Sequence, residues 1–428
     1  MKQPLVLLAL GLFLGLGVLF WGLRGGFGNQ VYFCEAASDA ASYRGDWFYR
    51  LHAGPDGWLL RDDDLETEFS LNPQTLTHLR RLNEALAAQG VTLVIAAQPP
   101  RGTSLEAGNV PEYRPADALE SYRAVRETLH NAGLVVADLS AVVGNTPDYF
   151  FRRDHHWTPD GARSSAEAVA AAITSTPAFA STSFASGTFR TEAVGREAQR
   201  GSFGEAVGRI CGRTPPAETF TRYRTVAETP GGGGLFGTSA PPVALVGTSN
   251  SARDDLNFAG FLAHASGLEV LNASLVGGGP EAAMAAYLRS STFREARPVF
   301  LVWEFATLFD VPQDPLFYRQ LVPSVRGACR AAASTASVTR ALGRTVPLFE
   351  GVRGETGFLI LNVSDLSQTA FDVRLEYEGG RRETLRLERP ERERNDGRFF
   401  LDLGGRLSAA ALRMPASAEG EVEARVCP

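Results

Sequence analysis

The sequence predicts an α/β domain built on a parallel sheet, followed by a small antiparallel β-domain. Two observations carry that expectation. Before residue 305, five short apolar runs alternate with stretches of helical spacing, the mark of a sheet covered by helices. After about residue 340 the pattern changes to alternating apolar and polar residues, with turn signals and no long helix. A chain of 428 residues has room for two or three domains, and 44% hydrophobic with 21% charged residues excludes wholesale disorder.

Each element has its own signal. Apolar positions at helical spacing run through residues 74–89 and stop at Gly90. VTLVIAAQ (91–98) is then continuously apolar, as expected of a strand buried on both faces. A second helix (117–131) leads through Gly133 to a second buried strand, LVVADLS (134–140). Thr158 reads as an N-cap with Pro159 at the first helical position, opening a helix to about 173. Residues 176–240 are rich in Ser, Thr, Gly and Pro, end in PGGGGLFGTSAPP, and read as an irregular insertion. The alternation resumes with strand 242–248, helix 252–265, strand 268–273, helix 280–290 and strand 298–304. Beyond 340, FLILNVSD, FDVRLEYEG, RETLRLER and RFFLDLG are the strands of a small sandwich.

The N-terminus points to export. Residues 4–23 carry no charge and follow Lys2, which fits a cleaved signal peptide or a retained membrane anchor. The cysteines, Cys34, Cys211, Cys329 and Cys427, have no metal-ligand spacing and suit an oxidising compartment. Four cysteines allow three pairings. The sequential one, Cys34–Cys211 with Cys329–Cys427, would staple two separate stretches and is the expected layout. A net charge of −6 argues against nucleic acid, which calls for a basic surplus.

Ligands of open α/β sheets bind at the carboxyl ends of the strands, so those ends are where chemistry is expected. Ser249 ends the strand PVALVGT and opens the next helix, where a helix N-terminus can stabilise an oxyanion, although an N-cap serine looks the same. Asp154, His155, His156 and Trp157 sit at another strand-to-helix junction, and an Asp two residues before a His can fix its tautomer. His52, His78, His130 and His264 lack ligand spacing, so no metal site is expected. Trp47, Trp58 and Trp157 read as core, with Trp157 also placed to floor a site beside the histidines.

RRDHHWTPDGA (152–162), VALVGTSNSA (243–252) and GPDGWLL (54–60) resemble the motifs of the periplasmic alginate O-acetyltransferase family, of the AlgX and AlgJ type. The resemblance implies an SGNH hydrolase-like, flavodoxin-like parallel sheet flanked by helices, with a circularly permuted order in which Asp-x-His precedes Ser. It also implies that residues 31–335 form the catalytic domain, after the leader or anchor at 1–30. Residues 340–428 are similar to that family's carbohydrate-binding module. Carried across residue by residue, it makes Ser249 the nucleophile, His156 the base, with His155 as the alternative, and Asp154 the orienting carboxylate. The Ser249 amide is the first candidate oxyanion donor and Gly277 or Gly278 in VGGGP the second, as in the glycine block of SGNH enzymes. The superfamily's G-x-N-D block has no match, VWEF (302–305) occupies its place, and the side-chain oxyanion donor is left unassigned. Arg101 and Arg253 fall on the expected active face and either bind a uronate carboxylate or are solvated surface arginines. Arginines of 381–394 with Tyr377 or Phe399 could line a glycan groove, though a solvated strand face is the simpler reading.

The implied activity is transfer of an acetyl group through a serine acetyl-enzyme to hydroxyls of an anionic exopolysaccharide, most simply alginate. No cofactor is implied. The implied partners are the polymer, a membrane-bound acyltransferase that supplies the acetyl group, and proteins of the export complex, all in or facing the periplasm. An acetyl esterase and a non-catalytic polysaccharide-binding scaffold are the alternatives.

Overall fold

The computed structural model describes residues 32–44, 48, 50–184, 187–229, 240–307, 311–389 and 393–428. The apolar run at 4–23, Trp47 and the glycine-rich run at 230–239 lie outside these. Among the described residues no helix is long and apolar enough to cross a membrane.

After two short 3-10 turns, Glu35–Ser38 and Ala40–Tyr43, comes a small antiparallel pair, β1 (His52–Ala53) and β2 (Leu59–Leu60). Then come β3 (Thr92–Ala97), β4 (Val135–Val136), a long hairpin of β5 (Thr188–Gln199) and β6 (Glu218–Thr229), and β7 (Val243–Val246), β8 (Val270–Asn272) and β9 (Phe300–Phe305). Five of these form one parallel sheet in the order β4-β3-β9-β7-β8. The continuous apolar runs are explained by its two covered faces. Leu93, Ile95 and Ala97 pack with Leu79, Leu82 and Leu86 of helix Pro73–Ala87, whereas Val94 and Ala96 join Leu139, Val143 and Val169 on the other side. Each fully buried Leu, Ile or Val side chain contributes about 1.5–3 kcal/mol of transfer free energy. The second strand is shorter than its apolar run because Asp138 accepts from the Ser140 amide at 3.1 Å and turns the chain into helix Ser140–Val143.

The described residues between 176 and 229 are not an irregular insertion. They hold helix Pro177–Ser181, the β5–β6 hairpin and helix Ser202–Cys211. The hairpin escapes a hydrophobic-pattern reading because the side it turns to helix Phe258–Ser266, through Thr191, Tyr223 and Thr225, is only half-buried and largely polar, and Phe220 alone of its described residues is buried. Its Thr, Val and aromatic content suits a strand, but no apolar face records the register.

The C-terminal part contains β10 (Ala336–Ala341), β11 (Thr345–Glu350), β12 (Phe358–Val363), β13 (Ala370–Tyr377), β14 (Arg382–Glu388), β15 (Arg398–Asp402), β16 (Leu407–Arg413) and β17 (Glu421–Cys427). They form two four-stranded antiparallel sheets, β10-β17-β12-β15 and β11-β16-β13-β14. Leu359 and Leu361 of one meet Val373 and Leu375 of the other in a shared core. Tyr377 and Phe399 belong to that core, 3% and 0% exposed, so they cannot line a glycan groove. Arg382 and Arg386 of β14 are exposed and paired with Glu376 and Asp372, which is the solvated strand face.

Disulfides join Cys34 to Cys211 and Cys329 to Cys427. The sandwich is docked on the parallel-sheet unit through helix Pro315–Arg326, whose Arg319 pairs with Glu383 at 2.7 Å and donates to the Asp402 carbonyl at 3.0 Å.

Candidate active site

Two turns at the carboxyl side of the sheet meet to form the site. The first follows β7. Thr248 is in extended backbone and caps the one-turn helix Ser249–Ala252, its hydroxyl accepting from the Asn250 amide at 3.2 Å. This leaves Ser249 half-buried and reachable at the start of the helix. The second turn precedes helix Pro159–Thr174, where Thr158 caps the helix by accepting from the Gly161 amide at 3.1 Å. Trp157 fastens the two turns together. Its backbone amide donates to Asn250 Oδ1 and its indole N–H to the Asn250 carbonyl, both at 3.2 Å, and its ring packs on Phe258.

The clamp brings His156 to the serine. His156 Nε2 lies 2.8 Å from Ser249 Oγ, and His156 Nδ1 donates to Asp154 Oδ1. Asp154 is 4% exposed and is held in place by the His156 amide at 3.0 Å and the Ser202 amide at 2.7 Å. Burial alone would raise its pKa; the hydrogen bond and charge of His156, then His155 and the Ser202 amide, hold it well below the ordinary carboxylate range. Gly201 lets the Ser202 amide come this close: its φ is +73°, and a Cβ there would meet the Arg153 carbonyl at 2.2 Å.

His155 is turned elsewhere. Its Nδ1 faces Ser202 Oγ at 3.2 Å, and burial, then neighbouring His156, pushes its pKa down to about 3. His156 is therefore the imidazole that meets the serine. Asp154, His155 and His156 also place one ligand atom each within 4.8 Å of one another. Both nitrogens of His156 are already engaged, one by Asp154 and one by Ser249.

Of the two arginines, only Arg253 reaches the site. Its Nη1 lies 3.3 Å from His156 Nδ1, Nη2 donates to Gln199 Oε1 at 2.9 Å, and Asp255 pairs with the same guanidinium. Arg101 does not lie on the active face. It is 3% exposed, pairs with Asp64 at 2.7 Å, and donates to the carbonyls of Leu59 (3.0 Å) and Phe151 (2.7 Å). Placing it at a strand end was right, but burial removes it from any polymer. It ties the GPDGWLL and RRDHHW segments together instead, as does the Leu59 amide donating to the Arg152 carbonyl at 2.9 Å. Gly277 and Gly278 lie on the loop after β8, which crosses the end of β7 where the Leu275 amide donates to the Gly247 carbonyl at 3.1 Å.

The Arg101–Asp64 pair makes a checkable prediction. Burial opposes the Asp64 charge, but Arg61 and Arg101 hold its pKa down at about 2. A depressed folded-state pKa contributes stability that is complete above the unfolded value near 4 and is lost as pH falls through about 2. Arg101→Ala is expected to destabilise by about 3 kcal/mol, since Asp64 keeps only Arg61 as an ion-pair partner and the Leu59 and Phe151 carbonyls lose their donor. Urea midpoints at neutral pH measure this, and an undisturbed midpoint would contradict the structural role.

Residues the motif reading missed are Asn250, the Ser202 amide and Glu304. Only Glu304 left a signal, as a lone acid in the apolar strand FLVWEF.

A serine whose hydroxyl meets a carboxylate-braced imidazole, at the C-terminal edge of a parallel α/β sheet, can carry out covalent acyl transfer. The fold and site together are those of an SGNH hydrolase-like protein. Residues 51–307 match the family described as "SGNH hydrolase-like domain, acetyltransferase AlgX". The alginate biosynthesis protein AlgX of Pseudomonas syringae pv. tomato is 33% identical over 390 residues, covering 86% of this chain and 81% of that protein. AlgX of Azotobacter vinelandii is 33% identical over 425 residues, covering 92% and 87%. The solved structure of Pseudomonas aeruginosa AlgX superposes with a TM-score of 0.80 at 30% identity, over 92% of this chain and 99% of that one. The O-acetyltransferase domain of Pseudomonas putida AlgJ gives 0.52 at 27% identity, over 64% and 99%. The chain belongs to the AlgX family of SGNH hydrolase-like acetyltransferases.

Proposed function

We propose that this protein acetylates an anionic exopolysaccharide, alginate above all, in the periplasm through an acetyl-enzyme on Ser249. The observation that carries the reading is the 2.8 Å approach of His156 Nε2 to Ser249 Oγ in a chain of an acetyltransferase family. His156 takes the serine proton as Oγ attacks the acetyl carbonyl of the donor, and Asp154 keeps the imidazole in the required tautomer. His156 then returns the proton to the leaving group. In the second half-reaction the same nitrogen deprotonates a sugar hydroxyl, which attacks the acetyl-serine and releases Ser249.

The Ser249 amide and those of Gly277 and Gly278 are the proposed oxyanion donors. Arg253 is the proposed uronate contact, sharing its charge between the substrate and Asp255. The donor would be a membrane-bound acyltransferase of the same export assembly. We assign residues 31–335 to catalysis and 340–428 to holding the polymer, with 1–30 serving as leader or anchor. Incubation of the purified protein with an acetyl-ester donor and oligomannuronate tests the reading. Acetylated oligomers in the mass spectrum are expected. Free acetate with unmodified oligomer would instead make the protein an esterase, and neither product would favour a binding scaffold.

A further inference from the structure

Glu304 is a fully buried acid on β9, the central strand of the parallel sheet. Burying a carboxylate among apolar strands is unfavourable unless its oxygens are satisfied. All of its donors are neutral, and most come from the nucleophile turn. Oε2 accepts from the Thr248 amide at 2.7 Å, Thr248 Oγ1 at 2.9 Å and Ser251 Oγ at 3.0 Å, while Oε1 accepts from Gln98 Nε2 at 3.2 Å. Thr248 and Ser251 lie on either side of Ser249 in the chain. The fit is tight enough to exclude a side chain at position 247, where a Cβ would stand 2.4 Å from Glu304 Oε2.

We propose that the ionised Glu304 carboxylate is a positioning group that holds Ser249 Oγ at His156 Nε2, and that its protonation loosens the turn. The proposal rests on Ser249 being the nucleophile. A protonated carboxyl turns one oxygen into a donor, so the Thr248 or Ser251 hydroxyl that donated to it must turn round to accept, and the bonds that hold the turn rearrange. Burial pushes the Glu304 pKa up to about 7 against the bonds from Thr248, Ser251 and Gln98. Gln98 on β3 and Thr248 and Ser251 on the turn carry no charge. Tyr149, whose hydroxyl is held well above its ordinary value by burial and then by the Glu304 charge, stays neutral. Activity therefore falls as pH drops through about 7 and Glu304 takes up its proton.

The test is kcat and KM against pH for wild type, Glu304→Gln, Ser251→Ala and Ser249→Ala, with a thermal melt of each. Glu304→Gln keeps the shape but loses an acceptor. It is expected to lower kcat by about 10²-fold, as misplaced reacting groups do, with KM little changed. Its acid limb should also involve one proton fewer than wild type. Ser251→Ala removes a donor that favours the charged form, so Glu304 should protonate more readily and the limb should move to higher pH. If Glu304→Gln fails to fold, the Ser251→Ala limb decides. A folded Glu304→Gln with the wild-type kcat and pH profile, or an unmoved Ser251→Ala limb, would overturn the proposal. Full activity in Ser249→Ala would instead defeat the nucleophile reading on which it rests.

Discussion

Ser249→Ala is expected to abolish acetyl transfer, by about 10⁶-fold in kcat, while leaving the fold intact. Only a hydroxyl leaves a half-buried position, so no large cavity forms and no buried donor loses its partner. His156→Ala should do nearly as much harm, since a serine without its base is a weak nucleophile and the pair acts as one unit. Asp154→Asn should be less severe, near 10⁴-fold, because its task is to orient and stabilise the ring. His155→Ala should be mildest, because that ring meets Ser202 and not Ser249. Steady-state kinetics with a small acetyl ester check the order. A His155 variant worse than the His156 variant would mean the base has been misassigned.

Breaking the Cys329–Cys427 bridge is expected to have a large effect on stability. The bridge closes a span of 98 residues, and on the chain-entropy model a loop of this size is worth about 5 kcal/mol. It also anchors β17, which pairs with both β10 and β12, so release frees a central strand of its sheet. Cys329→Ser combined with Cys427→Ser should therefore melt the sandwich well below wild type, as followed by calorimetry. Non-reducing peptide mapping that returned a Cys211–Cys329 bridge would contradict the layout.

What could be read from the sequence follows the physics of burial. β3, β7 and β9 are buried on both faces, and an uninterrupted apolar run has no other easy explanation in an α/β chain. Thr158 and Pro159 announced their helix because capping is local chemistry. The Ser249 and Asp154–His156 motifs were legible as separate turns. Their meeting was not, since it depends on Trp157 and Asn250, which contact one another across 93 residues of chain. The β5–β6 hairpin was hidden because its covered side is only half-buried and largely polar. Arg101 was misplaced because a sequence shows that a residue sits at a strand end but not which way it is covered. Asp64, the partner that permits its burial, lies 37 residues earlier.

The central claim is that acetyl groups pass through Ser249. It is tested most directly by mixing the protein with an acetyl-ester donor without acceptor, quenching in acid and mapping the peptides by mass spectrometry. The account predicts one acetyl group on the peptide containing Ser249, missing in Ser249→Ala and discharged when oligomannuronate is added. Acetylated oligomer formed by wild type with no acetyl on that peptide, or by Ser249→Ala at the wild-type rate, would contradict it.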